Sequence, residues 1–335
     1  MKGLVVILKD FGGIVTLSIT AFLCVVIIII SGIYVSGEEI VNKPNKQQIA
    51  EYHISSEVSE KTESSQAVSV SLAPKGKVIE QFISPYKSKT AYNRVYIKNR
   101  AGITLDIKKY LEAQNPIKLK KNSEVQILIM HTHTTECFLP EDRDYYTDED
   151  LTRTRKQSEN ITAVGDIISE KLNKAGFKTV HDKTEHDYPE YNGSYNRSGE
   201  TVKKNLEKYP SIKIVIDLHR DSIAGNGTDR VKPIVEINGK KAAQVMLVMG
   251  CGETVANHKN WEKNFTFAVK YQQTMEALYP GLARQLALVS SRYNQHLTTG
   301  SILLEVGTES NSLEEAKYGG SLAADALISY LNTLV

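Results

Sequence analysis

The sequence predicts an α/β protein, a mostly parallel sheet covered by helices on both faces, preceded by one transmembrane helix and a flexible linker. Three observations carry this. From Ser123 onward, apolar runs of strand length alternate with amphipathic stretches of helix length, and strands that alternate with helices build parallel sheets buried on both faces. Phe11 to Gly37 is a run of 27 residues without a charge. Between the two lies a polar stretch with little to bury.

The elements follow in chain order. Residues 1–10 are short and carry Lys2 and Lys9. The uncharged run at 11–37 exceeds the roughly 20 apolar residues that cross a bilayer core. A cleavable signal would have a shorter apolar region, roughly 7–15 residues, closed by a small-residue cleavage site. Here the run continues into "SGIYVSGEE", so an uncleaved helix is expected. Lysines before it and Glu38 and Glu39 after it put the amino terminus in the cytoplasm and the remainder outside.

Residues 38–77 read as the linker. "SSEVSEKTESSQ" is rich in Ser, Glu and Lys, a composition that cannot offset the entropy of ordering; extended, about 40 residues reach on the order of 130 Å. Residues 78–122 read as a small region with a strand-like "NRVYIKN" and a helical "ITLDIKKYLEAQ". The main domain is expected at 123–335. Strand "VQILIM" precedes a helix "ENITAVGDIISEKLNKAG" that stops at Gly176, and strand "FKTVH" follows. A helix around 198–209 leads into strand "IKIVIDLH". After "VKPIVEI" and "AAQVMLVMG" comes a helix from about 261 to 279, then strand "SILLEV" and a final helix over 313–334.

Composition narrows the function. The chain is 41% hydrophobic and 24% charged, as a globular protein is, and its net charge of +2 argues against nucleic acid as a partner. Three cysteines, Cys24, Cys137 and Cys251, make no disulfide framework.

The chemistry gathers where strands end. In open α/β sheets, sites form at the carboxyl ends of the strands. "VQILIM" runs into His131, His133 and Glu136; "IKIVIDL" runs into His219, Arg220 and Asp221; "SILL" runs into Glu305. A carboxylate between Leu304 and Val306 is costly to bury unless a cation or a catalytic role accounts for it. Two imidazoles and a carboxylate suit zinc, whose catalytic sites take three protein ligands. His131 or His133, Glu136 and His219 would hold one zinc per chain. Glu305 is left as general base, taking a proton from the attacking water and returning it to the leaving amine. His181 and His186 flank a loop and His53 lies in the linker, whereas His258 and His296 could line a groove. Cys137 has no evident base–orienter pair and is set aside as a nucleophile. Tyr191, Tyr195 and Trp261 could stack on sugar or peptide, and Arg197 or Arg220 could meet a peptide carboxylate.

Six motifs in order, "HTHTTE", "DYPEYNGSYNRS", "IVIDLHRDS", "ANHKNW", "YPGLAR" and "LLEVGTESNSLEEA", give the chain from Val125 to its end a resemblance to the stage II sporulation protein P cell-wall hydrolases. These look related to zinc N-acetylmuramoyl-L-alanine amidases. The resemblance implies an amidase-like fold, with Glu305 matching the catalytic glutamate and His219 the second histidine ligand. Laid beside the usual amidase strand, "QILIMHTH" puts His133 in the first ligand position, although His131 directly follows the strand. The usual glutamate ligand lies further along, at a helix start; Glu159 or Glu136 could fill that role, and Glu136 is favoured.

The resemblance also implies hydrolysis of the amide between N-acetylmuramic acid and the stem peptide, and an endopeptidase activity on cross-links. It implies work in engulfment during endospore formation, with stage II sporulation proteins D and M as partners. Two alternatives stand beside it: a zinc endopeptidase or carboxypeptidase confined to stem peptides, and a non-catalytic wall-binding scaffold. A metal-dependent phosphodiesterase is disfavoured, because no second carboxylate-rich set is present. If the chain is a single-pass membrane protein facing outward, a protease added to intact protoplasts will degrade it beyond Glu38. Protection of the carboxyl-terminal domain would refute that orientation.

Overall fold

Strand β1, Gly76–Gln81, begins inside the stretch that the sequence assigns to the linker. Only Val78 of its residues is buried, so no apolar alternation marks it. Its partners are remote: it runs parallel to β8 (Arg230–Ile237) and antiparallel to the two-residue β5 (Tyr145–Tyr146). With β9 (Lys240–Ala243) these make a four-stranded sheet that the sequence reading does not contain. The computed structural model describes residues 73–251 and 258–335. The expected tail at 1–10, the membrane helix at 11–37 and the linker as far as residue 72 lie outside the described residues. Among the described residues no helix is long and apolar enough to cross a membrane.

The larger sheet has eight strands in the order β2-β3-β11-β10-β12-β7-β4-β6. These are β2 (Thr90–Tyr92), β3 (Val95–Asn99), β4 (Ile127–Met130), β6 (Thr179–His181), β7 (Ile214–Asp221), β10 (Val245–Gly250), β11 (Leu286–Val289) and β12 (Ser301–Thr308). Five of its seven neighbouring pairs are parallel; the β2–β3 hairpin and the β10–β12 pair are antiparallel. The α/β class with a mostly parallel sheet is therefore present. The boundary expected at 122 does not separate two bodies, because residues 69–335 form one compact unit. β3 pairs with β11 of the main sheet, which satisfies an edge that would otherwise stay open. Helix α1 (Ile107–Glu112) sets Tyr110 edge-on against Phe265 of α4 (Trp261–Leu278), with ring centroids 4.9 Å apart.

Alternation along β4 explains the layers. Ile127 and Ile129 enter the main core with Val164 and Ile168 of α2 (Ile161–Lys174) and with Leu327 of α5 (Leu313–Leu331). Leu128 and Met130 point the other way and pack with Val202 of α3 (Ser194–Lys208). Successive strand residues face opposite sides, so one apolar run serves two layers and no residue of β4 is left exposed. Helix α2 starts at Asn160, whose side chain accepts from the Thr162 amide, and stops before Gly176 at φ +88°, as the sequence reading expects.

Helix α5 lies close against what it covers. A Cβ on Gly319 would stand 2.2 Å from the Ala243 carbonyl oxygen, and one on Gly320 2.5 Å from a Val164 methyl. A backbone carbonyl cannot turn aside as a side chain can. Gly319→Ala is therefore expected to destabilise the protein by about 1–3 kcal/mol through overpacking, despite the better helix propensity of Ala. A urea midpoint at or above that of the wild type would show that α5 does not approach β9 this closely.

Candidate active site

Three strand ends converge. Register pairs Glu305 of β12 with His219 of β7, and Met130 of β4 with Asp217 of β7. Paired residues share a face, so Asp217, His219 and Glu305 stand on one side of the sheet. The turn that follows β4 brings His133 and Glu136 to the same place. His219 Nδ1 lies 3.4 Å from Glu136 Oε2, and the His133 and His219 rings meet edge to face with centroids 5.3 Å apart.

The support for these groups is dense. His219 Nε2 donates to Asp217 Oδ1 at 2.8 Å, which turns Nδ1 toward Glu136. Asp217 in turn accepts from the Thr132 amide at 2.8 Å and the Thr132 hydroxyl at 2.7 Å. Glu136 Oε2 accepts from the Arg220 amide at 3.2 Å. Asp187 accepts from the Thr135 hydroxyl and Arg153, and its Oδ2 lies 4.0 Å from His133 Nδ1.

Charge follows from this geometry. Burial would raise the Glu136 pKa, but its hydrogen bond to His219 and the nearby charges of His219 and Arg220 bring it down to about 2. Burial works against a charged His219, yet Asp217 and Glu136 outweigh it and raise its pKa well above the ordinary value. Burial pushes His133 down to about 4, so its imidazole is neutral near pH 7. Glu305 behaves differently. Its Oε2 is enclosed without a hydrogen-bond partner among the described residues, and burial, reinforced by Asp221 and Glu136, raises its pKa to about 8 against the opposing pull of His219 and Arg284.

Two imidazoles and a carboxylate are donor types that zinc takes. His133 Nδ1 is buried without a partner, and Asp217 fixes the tautomer of His219 as an outer carboxylate does for metal-bound histidines. The three groups are neighbours and not a closed ligand shell: among the described residues no three His, Cys, Asp or Glu side chains are arranged to hold a metal ion.

His131 does not join them. It is fully buried, with Nδ1 2.8 Å from the Leu218 carbonyl oxygen and Nε2 2.7 Å from His181 Nε2, so both nitrogens are committed. Glu159 is exposed and pairs with Lys156. Of the expected substrate-binding residues, Tyr195 lies edge-on to His133 at 5.7 Å. Tyr191 stacks on the same ring at 4.5 Å with the planes 11° apart.

The other four are engaged elsewhere. Arg197 donates to the carbonyls of His186, Asn192 and Glu190. Arg220 is buried and donates to those of Cys137 and Thr152. His258 is buried against the Gly250 carbonyl, and Trp261 packs beside Tyr110 and Phe265. Burial pushes the Cys137 thiol up to about 11, so it is no nucleophile near neutral pH. The sequence reading missed Asp217, Thr132 and Asp187. The carboxylate in "VIDLH" carried the same signal as Glu305, a charge inside an apolar strand.

Fold and site together define a mixed α/β protein with a histidine–carboxylate centre at the ends of parallel strands. The profile of the family described as stage II sporulation protein P (SpoIIP) matches residues 31–328, and the chain belongs to that family. It is 33% identical over 223 residues to the stage II sporulation protein P of Bacillus subtilis (strain 168). That match covers 63% of this chain and 52% of the relative, so the chain spans about half the length of the curated relative it matches.

Among solved structures it is similar to the catalytic domain of the CD27L endolysin targeting Clostridia difficile, at 14% identity and TM-score 0.38, covering 62% of this chain and 97% of that one. It is also similar to the CwlD amidase of Clostridioides difficile in complex with the GerS lipoprotein, at 9% identity and TM-score 0.38, covering 62% and 99%. At such scores neither likeness decides the chemistry.

The geometry separates the two histidines by experiment. If the centre takes zinc, His133→Ala should remove most of it from the full chain. His131→Ala should keep the zinc and lower stability by roughly 1–3 kcal/mol, the usual effect of orphaning buried polar partners. Metal analysis with the reverse pattern would assign ligation to His131.

Proposed function

We propose that the protein is a membrane-anchored peptidoglycan hydrolase, a zinc N-acetylmuramoyl-L-alanine amidase that cleaves the amide between N-acetylmuramic acid and the stem peptide during engulfment in endospore formation. One observation carries this reading: His133, Glu136 and His219 converge beside a carboxylate, Glu305, whose Oε2 is enclosed and unpartnered. Membership of the SpoIIP family supports the sporulation setting; an outward-facing membrane location and stage II sporulation proteins D and M as partners are part of the same proposal. A secondary endopeptidase activity on cross-links belongs to the same reading.

In the mechanism, His133, Glu136 and His219 would hold the zinc. When bound, the ion supplies Lewis-acid polarisation of the scissile carbonyl. Asp217, held by Thr132, keeps the His219 ring in one orientation. Glu305 takes a proton from the attacking water and delivers it to the departing amine. A carboxylate whose Oε2 is enclosed and unpartnered among the described residues is free to make both transfers. Tyr191 and Tyr195 pack against the His133 ring and hold its orientation.

Glu305→Gln tests the assignment. The amide is nearly the same size, so zinc content and thermal stability should be kept while turnover on purified wall falls by about 10²–10⁴. Mass spectrometry of the digest should find stem peptides with a newly freed alanine amino terminus. Products cut only within the peptides would replace the amidase with an endopeptidase, and undiminished cleavage by Glu305→Gln would end the mechanism.

A further inference from the structure

The two arginines that sequence suggests for a peptide carboxylate, Arg197 and Arg220, donate to backbone carbonyls instead. A third arginine does not. Arg284 closes the "YPGLAR" motif just before β11, and its side chain is only 5% exposed. Its Nη1 donates to Asp221 Oδ2 at 2.8 Å, whereas Nε and Nη2 are buried without a hydrogen-bond partner among the described residues. A buried guanidinium with idle donors is costly. Its backbone is held on both sides, the amide donating to the Val245 carbonyl and the carbonyl accepting from Gln272. The side chain is thus presented from a fixed base.

Arg284 lines a groove of about 650 Å³, within the usual range for a bound small molecule or short peptide. Its cationic lining is Lys87, Lys98, Arg100 and Arg284; its acid, among the described residues, is Asp221. Lys87, Lys98 and Arg100 are exposed, and the ion pairs among the described residues do not include them. Met246 also lines the groove, and register places it directly opposite Glu305. The groove therefore opens beside the proposed general base. Nε–H and Nη2–H lie on one edge of a guanidinium and form the fork that grips two oxygens of one carboxylate.

We propose that Arg284, with Lys98 and Arg100 further along the groove, forms a subsite that takes a free carboxylate of the stem peptide and aligns the scissile amide with Glu305. This rests on the amidase reading of the site. It makes the enzyme selective for stem peptides whose acidic side chains are free over those in which they are amidated.

The test uses the full zinc-loaded chain and two synthetic muramyl peptides that differ only in free or amidated stem carboxyls. Binding is measured by calorimetry in the Glu305→Gln background, and cleavage is followed in parallel with the wild-type enzyme. The free-carboxyl peptide should bind roughly 10- to 100-fold more tightly, the range for one charge-assisted hydrogen-bonded pair. Adding Arg284→Gln should reduce its affinity to that of the amidated peptide, and Arg284→Lys should restore part of the difference. If Arg284→Gln does not fold, the exposed pair Lys98→Ala and Arg100→Ala should still narrow the preference several-fold.

Wild-type enzyme that cleaves both peptides with equal kcat/KM overturns the subsite while sparing the amidase. An enzyme that cleaves neither overturns the amidase reading and the subsite with it. An unchanged preference in Arg284→Gln, or inorganic phosphate displacing the free peptide at equal concentration, also refutes it.

Discussion

Asp217 is a carboxylate buried inside an apolar sheet, and much of the site follows from the need to accommodate it. It is 4% exposed, on a strand flanked by β12 and β4. An uncompensated charge there would cost several kcal/mol. Thr132 supplies two donors to it and His219 a third. Those bonds fix the turn after β4 and the ring at the end of β7 at once. A pair of histidines and two carboxylates are then brought together by an obligation of burial, before any ligand is considered.

The same logic runs outward. Glu136 is satisfied by the Arg220 amide, and the Arg220 guanidinium is anchored by carbonyls of the segment 137–152. Asp187 ties Thr135 and Arg153 to the loop that carries Tyr191. On the far side of Glu305, Asn311 accepts from the Thr308 amide and donates to Glu315, while Ser312 and Glu315 close a capping box at the start of α5. Lys232 of β8 is buried against Glu315 and pairs with Asp142. The motif "GTESNSLEEA" thus holds the turn that follows Glu305 and binds the small sheet to the helix.

Much of this was legible in the sequence, for a physical reason. β4, β7 and β12 are buried on both faces, so they read as unbroken apolar runs, and a polar group that interrupts or ends such a run stands out. Glu305 and His219 were visible that way; Asp217 was equally visible and was read as part of its strand. β1 was not visible, because a strand with one buried residue has no alternation, and its partners β5 and β8 lie about 70 and about 150 residues away along the chain. His131 and His133 could not be separated by pattern, since two residues apart they share whatever face the chain presents. What parts them is tertiary: a carbonyl from β7 and the ring of His181 claim both nitrogens of His131. Arginines are the least legible of all. Whether a guanidinium meets a backbone carbonyl, as in Arg197 and Arg220, or keeps its fork unpaired, as in Arg284, depends on contacts that no local signal records.

Charge balance gives the site its last piece of logic. Without a metal, the ionised Asp217 and Glu136 flank one imidazolium, His219, and the group carries a net negative charge. Glu305 is held above its ordinary pKa by burial, to which Asp221 and Glu136 add, against the opposing charge of His219. A dication bound by His133, Glu136 and His219 would displace the His219 proton and cancel both carboxylates. Glu136 would then no longer push Glu305 upward, and the new positive charge would draw its pKa back toward the usual carboxylate range. The same ion that polarises a carbonyl would thereby leave Glu305 ionised near neutral pH, as a base must be. On the proposed function, loading the centre and arming the base would be one electrostatic event.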